Sequence, residues 1–233
     1  MSLPLSGVRV LDFTRNVAGP YATLMLGDLG AEIIKVEEPD RGDGTRTVVT
    51  YEGRRPEDED YFYSLNRNKK SITLDLKHPE GRAIAEAVAA RSDALLENFA
   101  PGAMARLGLD YVTLGALHPG LVYCSISGFG QTGPYCERRG LDGGMQAMSG
   151  YMSLIGEPDR PPLAAGLPIA DTCAGICAAL AVAAALFDRL ATGRGRYVDV
   201  AMLDVMMAVM ITRAAEYLSS GAVSARIGNE NPL

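Results

Sequence analysis

Tryptophan is absent from this 233-residue chain, phenylalanine occurs five times and histidine twice. Both histidines, His78 and His118, precede a proline and read as turn or helix-entry residues. That leaves little material for a zinc site or a Ser-His-Asp triad, and no metal is expected. The four cysteines, Cys124, Cys136, Cys173 and Cys177, show no metal-ligand spacing. They read as small buried thiols, which fits a reducing, cytoplasmic compartment. Positive charge is also short. Against 28 acidic residues stand 22 Lys and Arg, a net charge of −6. A nucleic-acid or membrane-surface role would need a basic face, so neither partner is expected. The Met-Ser-Leu-Pro start has no basic segment followed by an apolar one, so no signal peptide is read. The uncharged run from Ala174 to Phe187, 14 residues, is too short to cross a bilayer.

With 48% apolar and 21% charged residues the composition is that of a soluble globular protein. The chain is organised around Pro161–Val200. Within it Ile176, Leu180, Ala183, Phe187 and Leu190 recur at helical spacing, with alanines around the rest of the turn. This predicts a buried helix, stopped by Gly193-Arg194-Gly195 and followed by a strand at Tyr197–Val200. Asp171 stands at the expected N-cap. Two roles are open to it: capping the N–H groups of Cys173 and Ala174, or serving as a nucleophile kept ionised by the positive end of the helix.

Taken in order, Gly7–Phe13 predicts a strand, and Ala18 starts a helix carrying Tyr21, Leu24, Met25 and Leu29. Gly30 ends it, and Glu32–Val36 predicts a second strand, so the unit is β-α-β with parallel strands. The loop Thr14–Pro20 lacks the Gly-x-Gly-x-x-Gly of a dinucleotide fold, which makes NAD a poor fit. Residues 38–60 form a polar excursion with Pro39, Gly42, Gly44, Gly53 and Pro56. A basic cluster follows, Arg67, Lys69 and Lys70, either a solvated loop or a phosphate contact. Further strands are predicted at Ser71–Leu76, Ala94–Glu97 and Leu121–Ser127. Helices are predicted at Pro79–Arg91, with Ile84 and Val88 inward, at Asp142–Gly150 and at Ala201–Leu218. The alternation predicts an α/β fold, a Rossmann-like parallel sheet flanked by helices, over residues 1–200. Residues 201–233 read as a helix and linker leading to a small domain outside this chain.

The ordered series Leu5–Phe13, Ala18-Gly-Pro20, Asn68–Ser71 with Leu74–Lys77, Glu97-Asn-Phe99 with Pro101-Gly102, Ser127–Gln131, Gln146-Ala147 with Ser149-Gly150, Ala170-Asp171 and Thr192–Gly195 resembles the family III CoA-transferases. That group includes formyl-CoA:oxalate and carnitine-CoA transferases, and its fold family includes the alpha-methylacyl-CoA racemases. The series corresponds to about the first 60% of a family member, so the chain reads as the large domain of a longer protein.

The resemblance implies a fold, a reaction and a set of roles. Asp171 takes the place of the catalytic aspartate, whose carboxylate attacks an acyl-CoA thioester to give an acyl-aspartyl anhydride and free thiolate. A small carboxylic acid accepts, and the thiolate returns through an aspartyl-CoA thioester. Contacts to coenzyme A, as substrate and product, fall to Asn16, Val17, Ala18, Leu74, Lys77, Asn98, Phe99, Ala103, Arg106 and Arg139. An interlocked homodimer is implied for the full-length protein. Val17 replaces a glutamine of some transferases, and Glu38 an arginine. Leu141 replaces the histidine of the racemases, and an aliphatic side chain cannot shuttle the α-proton. The alternatives are therefore an alpha-methylacyl-CoA racemase, disfavoured by Leu141, and a truncated, catalytically silent CoA-binding fragment. Gly228-Asn229 matches the start of the family's mobile glycine-rich loop.

Overall fold

The computed structural model describes residues 2–48, 55 and 59–230. Gly53 and Pro56 of the polar excursion, and the last three residues of the tail, lie outside them. Six strands form one parallel sheet: β1 Arg9–Asp12, β2 Glu32–Glu37, β3 Lys69–Thr73, β4 Ala94–Glu97, β5 Val122–Ser127 and β6 Tyr197–Ala201. Their order is β3-β2-β1-β4-β5-β6. The chain runs outward one way from β1 and the other way from β4. Loops leaving the carboxyl ends of these two strands therefore diverge and open a crevice, the place where such sheets bind ligands.

Parallel strands covered on both faces read as continuous apolar runs, and here alternate side chains feed two cores. On one face Val10, Ile33, Leu96, Cys124 and Ile126 pack against helices α1 (Ala18–Asp28) and α7 (Ile169–Thr192). On the other, Leu11, Phe13, Leu95 and Tyr123 meet α3 (Pro79–Ala89), α4 (Ala103–Leu107) and the neighbourhood of α5 (Tyr111–Leu117). Helix α2 (Asp60–Asn66) leads into β3, and α6 (Asp142–Met148) precedes α7. Helices α8 (Met202–Val209) and α9 (Ile211–Ser220) follow β6.

Several expectations are corrected. Helix α7 has 24 residues, long and apolar enough to cross a membrane by length and composition. It instead lies against α1, α6, α8, β5 and β6. Its buried side is the small one: Ala170, Ala174, Gly175, Ala178, Ala179 and Val182. The large side chains expected inside, Ile176, Leu180, Phe187 and Leu190, are exposed, from 42% at Ile176 to 81% at Leu190. Close helix contact selects the small face, and Gly175 shows why: a Cβ there would lie 2.7 Å from the carbonyl oxygen of Ala18. In α3 the same choice buries Gly81, Ala85 and Ala89 and leaves Ile84 exposed, although Val88 packs partly inward. The third strand begins two residues earlier than expected. The helix expected at Ala201–Leu218 is two, broken at Met210, and the first belongs to the main core through Met202, Val205 and Met206.

Candidate active site

The loop after β1 rests on a buried charge network. Asp12 receives the Thr14 and Thr23 hydroxyls at 2.5 and 2.6 Å and pairs with Lys69 at 3.2 Å. Lys35 donates to Asp43 at 2.9 Å and to the Thr14 carbonyl at 2.7 Å, and Asp43 accepts the Asn16 N–H at 3.3 Å. Buried ions survive when paired and hydrogen-bonded, and here the pairs fix a strained turn with Asn16 at φ +62°. Burial pulls Lys69 down to about 8, against the attraction of Asp12. For Lys69 the phosphate reading is thereby corrected. Lys69 is buried in this network, while Lys70 pairs with Glu32 at 2.6 Å and Arg67 with Asp28.

Across the crevice Asn98, just after β4, holds the same loop in both directions. Its Oδ1 accepts the Arg15 N–H and its Nδ2 donates to the Arg15 carbonyl, each at 2.8 Å. Arg15 lies over the Phe99 ring, 5.0 Å from its centroid, and 3.6 Å from Glu38. A third wall comes from Arg139–Asp142. Gly128 and Gly140 let two backbones touch: a Cβ on Gly140 would lie 2.2 Å from the Gly128 Cα. That contact seats the segment beyond the end of β5.

Together these walls enclose a cleft of about 520 Å³. Asn16, Val17, Ala18, Asn98, Phe99, Arg139 and Asp171 all line it, as do Arg138 and the exposed Leu141. Ser127 also lines it, and its buried Oγ has no hydrogen-bond partner. The other expected contacts are outside these walls. Leu74 packs on the second core, Lys77 and Arg106 are exposed, and Ala103 starts α4. No histidine lines the cleft: His78 caps α3, accepting the Glu80 N–H at 3.3 Å, and His118 ends α5. Among the described residues no cluster of His, Cys, Asp or Glu could hold a metal ion, and all four cysteines are free thiols.

Asp171 is the third residue of α7, not its N-cap. The cap comes from another element. Asp142 Oδ1 accepts the N–H groups of Ala170 and Asp171 at 2.7 and 3.2 Å. Its Oδ2 is held by the Gln146 side-chain amide, whose own Oε1 accepts the Ala165 N–H at 2.8 Å. Ile169 and Thr172 donate their N–H groups to Leu167 and Pro168 carbonyls, so the first turn of α7 is satisfied without the Asp171 carboxylate. That carboxylate is half-buried and faces the cleft. Burial, and then the neighbouring Asp142, push its pKa from 3.8 up to about 6. The carboxyl is thus less acidic than an ordinary aspartate, through desolvation first and like charge second. Tyr61, on α2, was not a sequence candidate, yet its phenol stands in the field of both carboxylates. Burial, then Asp171, then Asp142 raise its pKa.

Comparison with known proteins gives the family. A family model described as CoA-transferase family III matches residues 5–233. The chain is 45% identical over 234 residues to a succinate–glutarate CoA-transferase of Agrobacterium fabrum, covering 98% of this chain and 58% of that protein. It is 42% identical over 230 residues to an acetyl-CoA:oxalate CoA-transferase of Acetobacter aceti, covering 98% and 58%. A crystal structure of a CAIB/BAIF family protein from Brucella suis superimposes with a TM-score of 0.93 at 44% identity, covering all of this chain and 62% of that one. The chain thus spans between half and two thirds of the length of these relatives.

Proposed function

The chain belongs to CoA-transferase family III, and we propose that the whole protein moves coenzyme A from an acyl-CoA to a small carboxylic acid through Asp171. The observation that carries this is a carboxylate with no structural duty, raised to about 6, at the wall of the ligand crevice. At pH 7 a group of pKa 6 is ionised about ten to one, and it is more basic than an ordinary aspartate. Asp171 is thus both charged and the better nucleophile for its partial desolvation.

The steps balance without any external oxidant or base. An Asp171 oxygen attacks the thioester carbonyl, the C–S bond breaks, and an acyl-aspartyl anhydride and a thiolate result. The thiolate attacks the aspartyl carbonyl, which releases the donor acid and leaves an aspartyl thioester. The acceptor carboxylate then displaces the thiolate to give a new anhydride. Attack of the thiolate on its acyl carbon yields the new thioester and restores Asp171. Each intermediate is an activated acyl group, so no step falls far below the thioester in energy.

In this reading Asn16, Val17, Ala18, Asn98 and Phe99 hold the reactive arm of coenzyme A, and Arg139 an anionic group at the mouth. Leu74, Lys77, Ala103 and Arg106 would meet the nucleotide end beyond the cleft. The dimer implied by the resemblance offers one cover for the exposed Ile176, Leu180, Phe187 and Leu190, since so large an apolar stripe commonly marks an interface. Dicarboxylic acids are the first acceptors to try, because the names of the relatives include glutarate and oxalate. The test is exchange between an acyl-CoA and isotopically labelled free acids, followed by mass spectrometry. Label in the CoA thioester supports the proposal. Binding of acyl-CoA without exchange would leave the silent-fragment reading, and scrambling of the α-carbon configuration the racemase one.

A further inference from the structure

A second cavity, about 280 Å³, opens beside the carboxyl end of β4, the middle of β5 and the start of β6, on the sheet face opposite α7. The alternation of the strands puts Glu97, Ser125 and Tyr197 on that face together. Its walls carry the carboxylates of Glu97 and Asp110, three tyrosines and Gln131, whose buried Nε2 has no hydrogen-bond partner among the described residues; among those residues no lysine, arginine or histidine lines it. The Tyr111 and Tyr197 rings stack with centroids 5.1 Å apart and planes 22° from parallel, and Tyr123 lies 5.9 Å from Tyr197.

Glu97 is the anomaly. Among the described residues the buried acids are Asp12, Glu37, Asp43 and Glu97. Lys69 pairs with Asp12, Arg46 with Glu37 and Lys35 with Asp43. Glu97, 4% exposed, has no cationic partner among the described residues. It accepts the Phe99 N–H at 2.8 Å and a hydrogen bond from Ser125, which in turn receives the Tyr197 hydroxyl at 3.1 Å. A desolvated carboxylate is costly to leave without a counter-charge, and three tyrosine rings stand in the same cavity beside small and aliphatic side chains such as Ala105 and Val112.

From this combination we infer that the cavity is a binding site for a guanidinium group, seated against the tyrosine rings and paired with Glu97. A planar guanidinium matches both features at once: it stacks on aromatic faces and offers two parallel N–H donors to a carboxylate. A compact ammonium can match the charge and sit on a ring but lacks the planar pair of donors, and an anion such as a phosphate would face the Glu97 and Asp110 carboxylates. Burial raises the Glu97 pKa, and a bound cation would reverse that shift. The site shares no wall residue with the Asp171 cleft except Ala100, so it stands whether or not the transfer reaction does.

The group has two possible sources, a free alkylguanidine or an arginine side chain on a protein segment, and two probes separate them. Agmatine and N-acetyl-arginine-N′-methylamide are titrated in turn, reading the backbone amide NMR signals of Phe99 and Ser125, with butylammonium as the comparison cation. The tighter of the two guanidinium probes identifies the source. Saturable shifts are expected with at least one of them, at an affinity tenfold or more above that of butylammonium. Glu97→Gln keeps the acceptor for the Phe99 N–H but removes the charge, and should weaken binding at least tenfold. If that variant fails to fold, Tyr111→Leu at the rim should weaken it several-fold. No saturable shift, equal binding of butylammonium, or unchanged affinity in the variant that folds would overturn the assignment.

Discussion

The backbone N–H of Asp171 points at the carboxylate of Asp142, 3.2 Å away, so one acid caps the helix that carries the other. The cap fixes where α7 begins and hence where the Asp171 side chain enters the cleft. It also places a negative charge beside that side chain, which burial and this neighbour together hold near 6.

Replacing Asp142 by Asn separates the two effects. Asn caps a helix about as well as Asp, so the fold should persist while the like charge is lost. The acid limb of the pH–kcat/KM profile should move from near 6 toward the ordinary aspartate value, by up to about one unit. An unmoved limb in a folded variant would show that Asp142 does not tune Asp171.

Stability should respond to Asp171 in the unusual direction. Its folded pKa of about 6 exceeds the 3.8 of an unperturbed aspartate. The folded state thus binds the proton more tightly, and stability falls as pH rises from about 4 to about 6. Asp171→Asn removes that loss. The variant should be more stable than the parent at pH 7, by on the order of 1 kcal/mol after allowance for partial solvent exposure. Near pH 4 the two should converge. Urea unfolding at both pH values checks this, and a variant less stable at pH 7 would speak against it.

Lys77, Arg106 and Arg139 are the cations expected at the phosphates of coenzyme A. A triple alanine variant should bind coenzyme A at least tenfold more weakly, and the parent's affinity should fall with added salt while the variant's falls less. Isothermal titration at two ionic strengths measures both. Equal affinities would remove these residues from the contact set.

Much of this was legible in the chain, and the failures share a cause. The strands announced themselves because parallel strands buried on both faces are continuous apolar runs, as at Ala94–Glu97 and Leu121–Ser127. Asp171, Asn98 and Phe99 were readable through the order of short motifs. What misled was size. Ile176, Leu180, Phe187 and Leu190 form the better apolar stripe by period, yet α7 buries a face made mostly of alanine, with Gly175 where α1 comes closest. The same preference turned Ile84 outward. Lys69 looked like a surface cation because its partner, Asp12, is 57 residues away in sequence. Asp142 and Tyr61 owe their place beside Asp171 to tertiary packing, and no local pattern marks either one. The short helices α2, α4 and α5 fell below the length at which periodicity is informative.

The central claim is that Asp171 becomes covalently acylated, and trapping that state tests it most directly. The whole protein is incubated with an acyl-CoA and hydroxylamine, digested, and the peptide spanning Asp171 is analysed by mass spectrometry. Aspartyl anhydrides and thioesters react with hydroxylamine, whereas free carboxylates do not, so the account predicts a hydroxamate at Asp171 that appears only with acyl-CoA and is absent from Asp171→Asn. An unmodified Asp171 peptide from an enzyme that is turning over, together with near-parental exchange by Asp171→Asn, would contradict it.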